Sequence, residues 1–585
     1  MYNSILNKIW SEYEVPNHLV QEIKDAYSLD YLLAKILSTK NLQTELIDNF
    51  LKPQIKTAFP KWDFFLDMAK GVKRAMKAIY NNEKICIFGD YDVDGSAGAA
   101  LLYKGFKHLG IEPKVYIPDR ISEGYGLNIK SLDCIRQNGA SLLITIDCGT
   151  SALEEIDYAN SIGLDVIVID HHISDILPKA IAVINPNRMD QPDGYNYLCG
   201  TGVGFIFLAN LIRDLKSSNF FSNKSIPNLL EWLDLVALGT IADVMQLQGL
   251  NRVFVKRGLE VLKDTKNIGL KALIKISSAK STVYGIGFQI GPRINAGGRI
   301  GESNLGFKLL TSEDQAEADQ YARRLDLYNI ERQKMEVSIL AEAINLVDAS
   351  QNIIFIGGIW HQGLIGIIAS RIKDRYEKPV IIFSMTEDGI YKASGRSTSG
   401  FDLGVIVTNS KLEGLVINGG GHKMAIGFSF QKENLELLKN FFSAGISKQK
   451  QIISKNNYFE LSASRVNLVT MELLAKLEPF GPGNRDPLFL IKNVVMKKIK
   501  LINEKFISLE IESKEVNNFS EQITFCKTTS RSNKNIFKGV IFNQNLVQAS
   551  QKQNLQTIIH IVCSLQLDHF SHNGIQLNIQ DIIVA

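Results

Sequence analysis

Disulfide chemistry has little material here. Six cysteines are spread over 585 residues, at 86, 134, 148, 199, 526 and 563, and no two form Cys-x-x-Cys. That scatter excludes a zinc ribbon and a disulfide framework and points to reduced thiols and a cytoplasmic location. No apolar run approaches the roughly 18–20 residues that cross a bilayer. The start, Met1-Tyr-Asn-Ser-Ile-Leu-Asn-Lys, lacks a secretory pattern, so no membrane association is expected. Charge of one sign is also missing: 65 Lys and Arg against 61 Asp and Glu leave +4. The imbalance is local. From residue 451 onward stand 15 basic and 11 acidic side chains, so the first 450 residues net to zero. A modestly basic C-terminal unit on a neutral body suits a polyanionic partner. The rest is ordinary globular composition, 45% hydrophobic and 22% charged. The length suits three or four domains.

One stretch organises the chain: Lys84-Ile-Cys-Ile-Phe-Gly-Asp-Tyr-Asp-Val-Asp-Gly95. Ile85 to Phe88 reads as a buried strand. It runs into three alternating acids, Asp90, Asp92 and Asp94, and then a small-residue helix over 96–109. Three carboxylates stacked at a strand end repel one another unless a cation sits between them. Before it, residues 1–55 read as a polar, helix-like lead-in, and Phe64, Met68, Val72, Met76 and Ile79 fall at helical spacing.

After it, strands at 85–88, 114–117, 142–146 and 166–169 alternate with helices at 96–109, 127–138 and 151–162. Short apolar strands separated by helices predict a parallel sheet covered on both faces. Ligands of such sheets bind beyond the carboxyl ends of the strands. Polar residues gather at that edge: the three acids, then Asp119 and Arg120, then Asp147, then Asp170, His171 and His172, with Asn185 and Arg188 after a fifth segment. An apolar helix from Leu229 to Ile241 then delivers Asp243, an acid that needs a partner so near an apolar run. An oxygen-rich set with one or two imidazoles suits Mn²⁺ or Mg²⁺. It holds too many carboxylates for one zinc, and fits two divalent ions sharing a bridging carboxylate. The chemistry so read is metal-assisted hydrolysis of a phosphate ester or anhydride.

Asp170-His-His172, with Gly89-Asp-Tyr-Asp-Val-Asp-Gly95 before it and Gly239-Thr-Ile-Ala-Asp243 after it, resembles the DHH phosphoesterase superfamily. Further stretches match the RecJ family of bacterial single-strand-specific DNA exonucleases: 117–126, 146–149, 291–299 and 477–484. The likeness covers nearly all of residues 60–585. It implies domains at 56–305 (DHH catalytic), 306–349 (connecting helix), 350–450 (DHH-associated, substrate-binding) and 451–585 (OB-type barrel). It implies Asp90, Asp92, Asp94, Asp147, His171 and Asp243 as ligands of two Mn²⁺ or Mg²⁺ ions per active site, with Asp147 bridging. His172 then stands against the scissile phosphate, Arg120 near the strand's 5′ end, and Tyr125 under a base. Two positions depart from the pattern. Phe88 stands where many relatives have a ligating histidine, which shifts a ligand role onto Asp90. Ala97 stands where relatives often have threonine.

The C-terminal half completes the reading. Gly291-Pro-Arg-Ile-Asn-Ala-Gly-Gly-Arg-Ile-Gly301 pairs Arg293 and Arg299 with flexible backbone, either a phosphate grip or a glycine-rich hinge. Residues 312–346 lack glycine and proline and predict a helix of about 35 residues, roughly 50 Å long. Tyr321, Leu325, Tyr328, Met335, Ile339, Ala343 and Leu346 form its core stripe as a connector between lobes. A second α/β unit follows, with strands at 353–356 and 380–383. Within it, the resemblance assigns Ser394 and Arg396 to the terminal 5′ phosphate and turns His422 toward the cleft. Strands at 487–501, 506–513, 522–528, 536–542, 555–567 and 574–583 suit an OB-type barrel. Lys492, Lys497, Lys498, Lys500, Lys527, Arg531, Lys534 and Lys538 make it basic, for a single strand or as a mere brace.

The leading expectation is a 5′-to-3′ exonuclease on single-stranded DNA that releases 5′-mononucleotides in repair and recombination. It is expected to be monomeric, with a helicase and a single-strand-binding protein as partners. A small-substrate DHH phosphodiesterase and a catalytically dead DNA-gripping scaffold are the alternatives. The extra barrel argues against the first and the intact acid set against the second.

Overall fold

The computed structural model describes residues 2–40, 42, 46–120, 122–449, 455–502, 506–514, 536–550, 557–568 and 574–584. They form two compact units: Ala58–Ile453, and Met1–Thr57 joined with Ser454–Ala585. The chain opens with two strands, β1 (Tyr2–Asn3) and β2 (Ile9–Glu12). Their unit is completed only by the far end of the sequence.

The larger unit begins with the helix Met68–Tyr80, which starts four residues later than the Phe64 spacing predicts. A five-stranded parallel sheet follows: β3 (Ile85–Gly89), β4 (Lys114–Tyr116), β5 (Leu142–Ile146), β6 (Asp165–Ile169) and β7 (Ala182–Ile184), in spatial order β4-β3-β5-β6-β7. β3 and β5 are buried along their whole length, as expected of strands covered on both faces. Phe88 is fully buried and stacks on Tyr116, centroids 5.4 Å apart, so this departure from the family pattern is a core residue. The helices Val93–His108 and Gly200–Ser217 pack beside one another on this sheet. The apolar run at 229–241 splits into a 3-10 turn, Leu229–Trp232, and the helix Leu233–Ala242.

Residues 291–301 depart from expectation. They are neither loop nor hinge but a helix, Gly291–Ile300, entered through the π-helical turn Gly285–Ile290. Its glycines serve close packing rather than flexibility: a Cβ on Gly298 would lie 2.9 Å from the Tyr91 carbonyl. The connector is helical over Gln315–Asn345, close to the predicted bounds. Its buried face differs from the expected stripe, because Asn329, Arg332 and Glu336 are buried between Leu325 and Ile339.

The second lobe of this unit is a sheet of β8 (Ile354–Gly358), β9 (Val380–Ser384), β10 (Ile390–Arg396), β11 (Asn418–His422) and β12 (Ala425–Gln431), in order β11-β12-β10-β9-β8. Tyr391 and Ala393 on β10 point into a core with Phe355, Phe383, Phe428 and Phe430. Period-two alternation therefore turns Lys392, Ser394 and Arg396 to the other face.

The smaller unit adds β13 (Asn456–Glu460), β14 (Phe489–Ile502), β15 (Phe506–Ser513), β16 (Ile536–Ile541), β17 (Ile558–Leu567) and β18 (Ile575–Val584). The last five close into a barrel, because β14 pairs with both β15 and β17. The strand expected at 522–528, with Lys527, Arg531 and Lys534, lies outside the described residues. Residues 1–55 are not the separate helical lead-in their polarity suggests. β2 pairs in parallel with β13, Trp10 opposite Asn456. Leu32, Leu33, Ile36 and Leu37 share one core with Phe489, Ile507 and Ile561 of the barrel. The lysines read as a basic surface are largely paired with neighbours: Lys492 with Glu460, Lys497 with Glu512, Lys498 with Glu510 and Lys538 with Asp568, at 2.7–3.2 Å. Cross-strand pairing within the barrel explains this, since Lys498 and Glu510 are register partners.

Candidate metal centre and phosphate cavity

The acids converge at the carboxyl edge of the β3–β7 sheet. Asp92 caps the Val93–His108 helix, accepting from the Gly95 amide at 3.0 Å. Asp94 reaches the start of the Gly200–Ser217 helix and accepts from the Gly200 and Thr201 amides at 2.6 and 3.0 Å. That is the favourable end of a helix for an anion. Asp243 sits at the opposite kind of end, capping the C-terminus of Leu233–Ala242, where a bare carboxylate is disfavoured and a cation is wanted. Asp147 follows β5 with φ 63°, a left-handed backbone held directly at the cluster. Gly200 makes room for it, since a Cβ there would stand 2.8 Å from Asp147 Cβ.

Ligand-capable atoms of Asp94, His171 and Asp243 lie within 4.8 Å of one another, as do those of Asp90, Asp92 and Asp147. His171 Nε2 is 3.1 Å from Asp147 Oδ1, 3.5 Å from Asp243 and 4.0 Å from Asp94. All six expected metal residues are thus brought together, with Asp147 between the two groups. Asp90 Oδ1 and Asp147 Oδ1 are buried and accept no hydrogen bond. Burial and mutual repulsion push the carboxyls of Asp90, Asp92, Asp147 and Asp243 above their ordinary range. Burial, then His172, lowers the His171 imidazole toward its neutral, ligating form. Five carboxylates and one imidazole, two of the oxygens orphaned, fit hard divalent cations such as Mn²⁺ or Mg²⁺.

Asp170 is not one of these acids. It accepts from the backbone amides of His171, His172 and Thr150 at 2.7–3.2 Å and holds His172 Nδ1 at 2.8 Å. Burial opposes its charge, but these bonds and the two imidazoles hold its pKa well below the usual range. Burial works against a charged His172 too, yet Asp170 lifts its pKa to about 9. Asn185 and Asn187 fix the His172 and His171 carbonyls at 2.9 and 2.5 Å. Asn187 carried no signal in the sequence beyond its place after a strand.

Tyr125 links this centre to a cavity of about 770 Å³. Its hydroxyl donates to the Asp147 carbonyl at 3.2 Å and lies 3.2 Å from His172 Nδ1, while its half-exposed ring lines the cavity. Arg120, Arg299, Ser394 and Arg396 line it as well. Arg120 stacks on Tyr91, 5.0 Å from the ring centroid. Burial first, then neighbouring guanidiniums, lowers Arg299 to about 10 and also depresses Arg396. Cations crowded in this way want an anion. Sequence reasoning missed Lys392, Asn418 and Ser429, which also line the cavity. Register shows why they belong: Lys392, Ser429 and Asn418 form one cross-strand row, and Ser394, Gly427 and Gly420 the next. Alternation along β10 carried that signal.

Two expected substrate residues do not line the cavity. Arg293 turns to the connector, pairing with Asp326 at 2.8 Å and donating to the Gln289 carbonyl. Six residues along a helix separate it from Arg299 by about 120°, so the two cannot act as one grip. His422 is exposed on the edge strand β11, in the cross-strand row of Arg396, with its Nδ1 accepting from the Met424 amide.

Three family models match the chain: "DHH family, N-terminal domain" over residues 84–240, "DHHA1 domain" over 346–448 and "RecJ OB domain" over 459–581. A Salmonella typhimurium protein named single-stranded-DNA-specific exonuclease RecJ is 34% identical over 471 residues, 76% of this chain and 81% of its own. A crystal structure described as exonuclease RecJ bound to manganese is similar over 67% of this chain and 96% of its own, at 30% identity and TM-score 0.57. RecJ in complex with Mn²⁺ from Thermus thermophilus shares the fold over 99% of this chain and 80% of its own, at TM-score 0.81 and 24% identity. With its three domain signatures in order and this identity sustained across most of its length, the chain belongs to the RecJ family of DHH exonucleases.

Proposed function

We propose that this chain is a metal-dependent exonuclease specific for single-stranded DNA. It enters at the 5′ end, releases 5′-mononucleotides and serves DNA repair and recombination. The observation that carries the reading is the junction at Tyr125, where a cavity lined by Arg120, Arg299, Ser394 and Arg396 abuts the acid cluster. A terminal 5′ phosphate held by those arginines leaves the next phosphodiester toward the acids, which is the basis for the 5′-to-3′ polarity.

Asp90, Asp92 and Asp147 would hold one divalent ion, and Asp94, His171 and Asp243, with Asp147 shared, a second. Two such ions, when bound, supply nucleophile activation and charge neutralisation for displacement at phosphorus. The chain's own groups do the rest. Asp170 takes up Nδ1 of His172, so Nε2 is the atom offered to the scissile phosphate, as a hydrogen-bond donor or acid. Tyr125 offers a ring face to the terminal base. Ser394 accepts from Arg396 at 3.0 Å, which aims the guanidinium fork into the cavity. The barrel supplies a second hold on the strand. Among the described residues no helix is long and apolar enough to cross a membrane. A cytoplasmic monomer working beside a helicase and a single-strand-binding protein completes the reading, on family grounds alone.

Digestion of end-labelled single and double strands with Mn²⁺, Mg²⁺ or chelator tests metal need, polarity and strand choice together. Label released first from the 3′ end, or cleavage that survives chelation, overturns the reading. Arg396→Ala is expected to lower kcat/KM on 5′-phosphorylated strands by roughly 10–100-fold and to spare 5′-hydroxyl strands. Equal losses on both remove the phosphate role.

A further inference from the structure

The Gln315–Asn345 helix contributes to the cores of both lobes. Its first half buries Ala318, Ala322 and Leu325. Its second half gives Ile339 and Ala343 to a core with Leu364, Ile368 and Ile372. Between the two, the buried positions are Asn329, Arg332 and Glu336, at 2%, 8% and 7% exposure. Apolar adhesion is interrupted where the helix passes from one lobe to the other.

Every charge in the gap is directed. Arg332 donates to Glu336 Oε2 at 2.7 Å and to Asn329 Oδ1 at 3.0 Å. The second oxygen of Glu336 accepts from Arg371 Nε at 2.9 Å. Arg371 belongs to the helix Ile365–Tyr376, and the start of that helix is a wall of the cavity: Ile365 and Gly366 line it. A Cβ on Gly366 would lie 3.1 Å from Arg396 and 3.2 Å from Ser394. Just before the helix, the Gly363 carbonyl accepts from Arg299 at 2.9 Å. Arg332 is also close enough to Arg299 to help depress its pKa. A shift of this one helix therefore moves one wall of the cavity against the other.

A buried ion pair adds little net stability, because desolvation consumes most of its coulombic gain. What it enforces is registry, since another seating of the Ile365–Tyr376 helix takes Arg371 away and leaves the second buried oxygen of Glu336 without its donor. We propose that Glu336, bridged between Arg332 and Arg371, is a positioning residue that fixes the seat of the Ile365–Tyr376 helix and so the width of the arginine-lined cavity. The inference rests on the reading of that cavity as the seat of a terminal 5′ phosphate.

The test uses the full chain with Cys134 and Cys526 replaced by serine and spin labels at the exposed positions Lys130 and Lys411, one in each lobe. Glu336→Gln keeps the shape and removes the charge. It is expected to broaden the distance distribution between the labels. It is also expected to raise KM about tenfold on 5′-phosphorylated strands, with kcat within about twofold and 5′-hydroxyl strands unaffected. Glu336→Asp, which keeps the charge, recovers much of the loss. Arg371→Ala breaks the bridge from its exposed side and reproduces the effect even where Glu336→Gln does not fold. A folded Glu336→Gln or Arg371→Ala variant with parental distances and a parental KM overturns the proposal. A parent protein indifferent to the 5′ phosphate overturns the phosphate reading instead, while broadened distances in the variants still support the seat.

Discussion

Asp147 combines a left-handed backbone, full burial and an oxygen with no hydrogen bond, a combination that a bound cation stabilises. Asp147→Ala is expected to cut hydrolysis by more than roughly a thousandfold. Its melting temperature without metal should be no lower than the parent's, because one of five mutually repelling acids is gone. A folded variant with near-parental turnover would remove Asp147 from the centre. A second carboxyl is informative for stability. Burial, opposed in part by a hydrogen bond with Ser564, raises Asp486, just ahead of β14 in the smaller unit, from 3.8 to about 6. The folded state thus holds the proton more tightly than the unfolded chain, and its advantage is full below pH 3.8. It is lost as pH rises through about 6, so this group makes the barrel unit less stable at neutral pH than in mild acid. Asp486→Asn should flatten that difference in melts across pH 4–7. An unchanged slope would show that the carboxyl titrates normally.

At the scale of elements, β2 makes the first residues part of the last domain. Trp10 is 3% exposed, packs on Tyr458, Leu490, Val562 and Ile583, and donates to the buried Asp581 at 2.7 Å. Trp10→Ala is expected to destabilise the smaller unit by about 3–5 kcal/mol, with the larger unit's transition unmoved, as read by urea denaturation. A loss below about 1 kcal/mol would mean that β2 merely rests on the barrel. Elements also explain the unequal fate of the arginines. Composition marks Arg293 and Arg299 alike, but helical phase sends one to Asp326 and the other to the cavity.

On the scale of the whole molecule, the division into two units says where the chain may be cut. Removing 451–585 alone would strip the partners from Trp10, Leu33 and Leu37 and leave an apolar surface at the N-terminus. Residues 58–453 are the coherent catalytic body. That fragment is expected to keep metal-dependent cleavage of short oligomers. It should bind long strands more weakly, with a shallower dependence of log K on log salt. The slope should change by less than the lysine count suggests, because Lys492, Lys497, Lys498 and Lys538 are already paired. Equal losses on short and long strands would count against the barrel as a strand-binding unit.

What was legible from the sequence is what short-range pattern encodes. Apolar runs of four or five residues gave the strands β3, β5 and β6. Their ends gave Asp90, Asp92, Asp94, Asp147 and His171, because parallel strands bring their carboxyl ends to one edge wherever they sit in the sheet. Period two along β10 also places Lys392 beside Ser394 and Arg396, a local signal that the expected site left out. Tertiary structure alone decided the rest. Trp10 meets Asp581, Glu336 meets Arg371 and Arg299 meets Gly363 across separations that no local period spans. The sequence by itself determined the chemistry, since ligand types and their strand-end spacing are local. Only the fold determined which charges remain free to meet a substrate, because burial and pairing depend on neighbours far away in the chain.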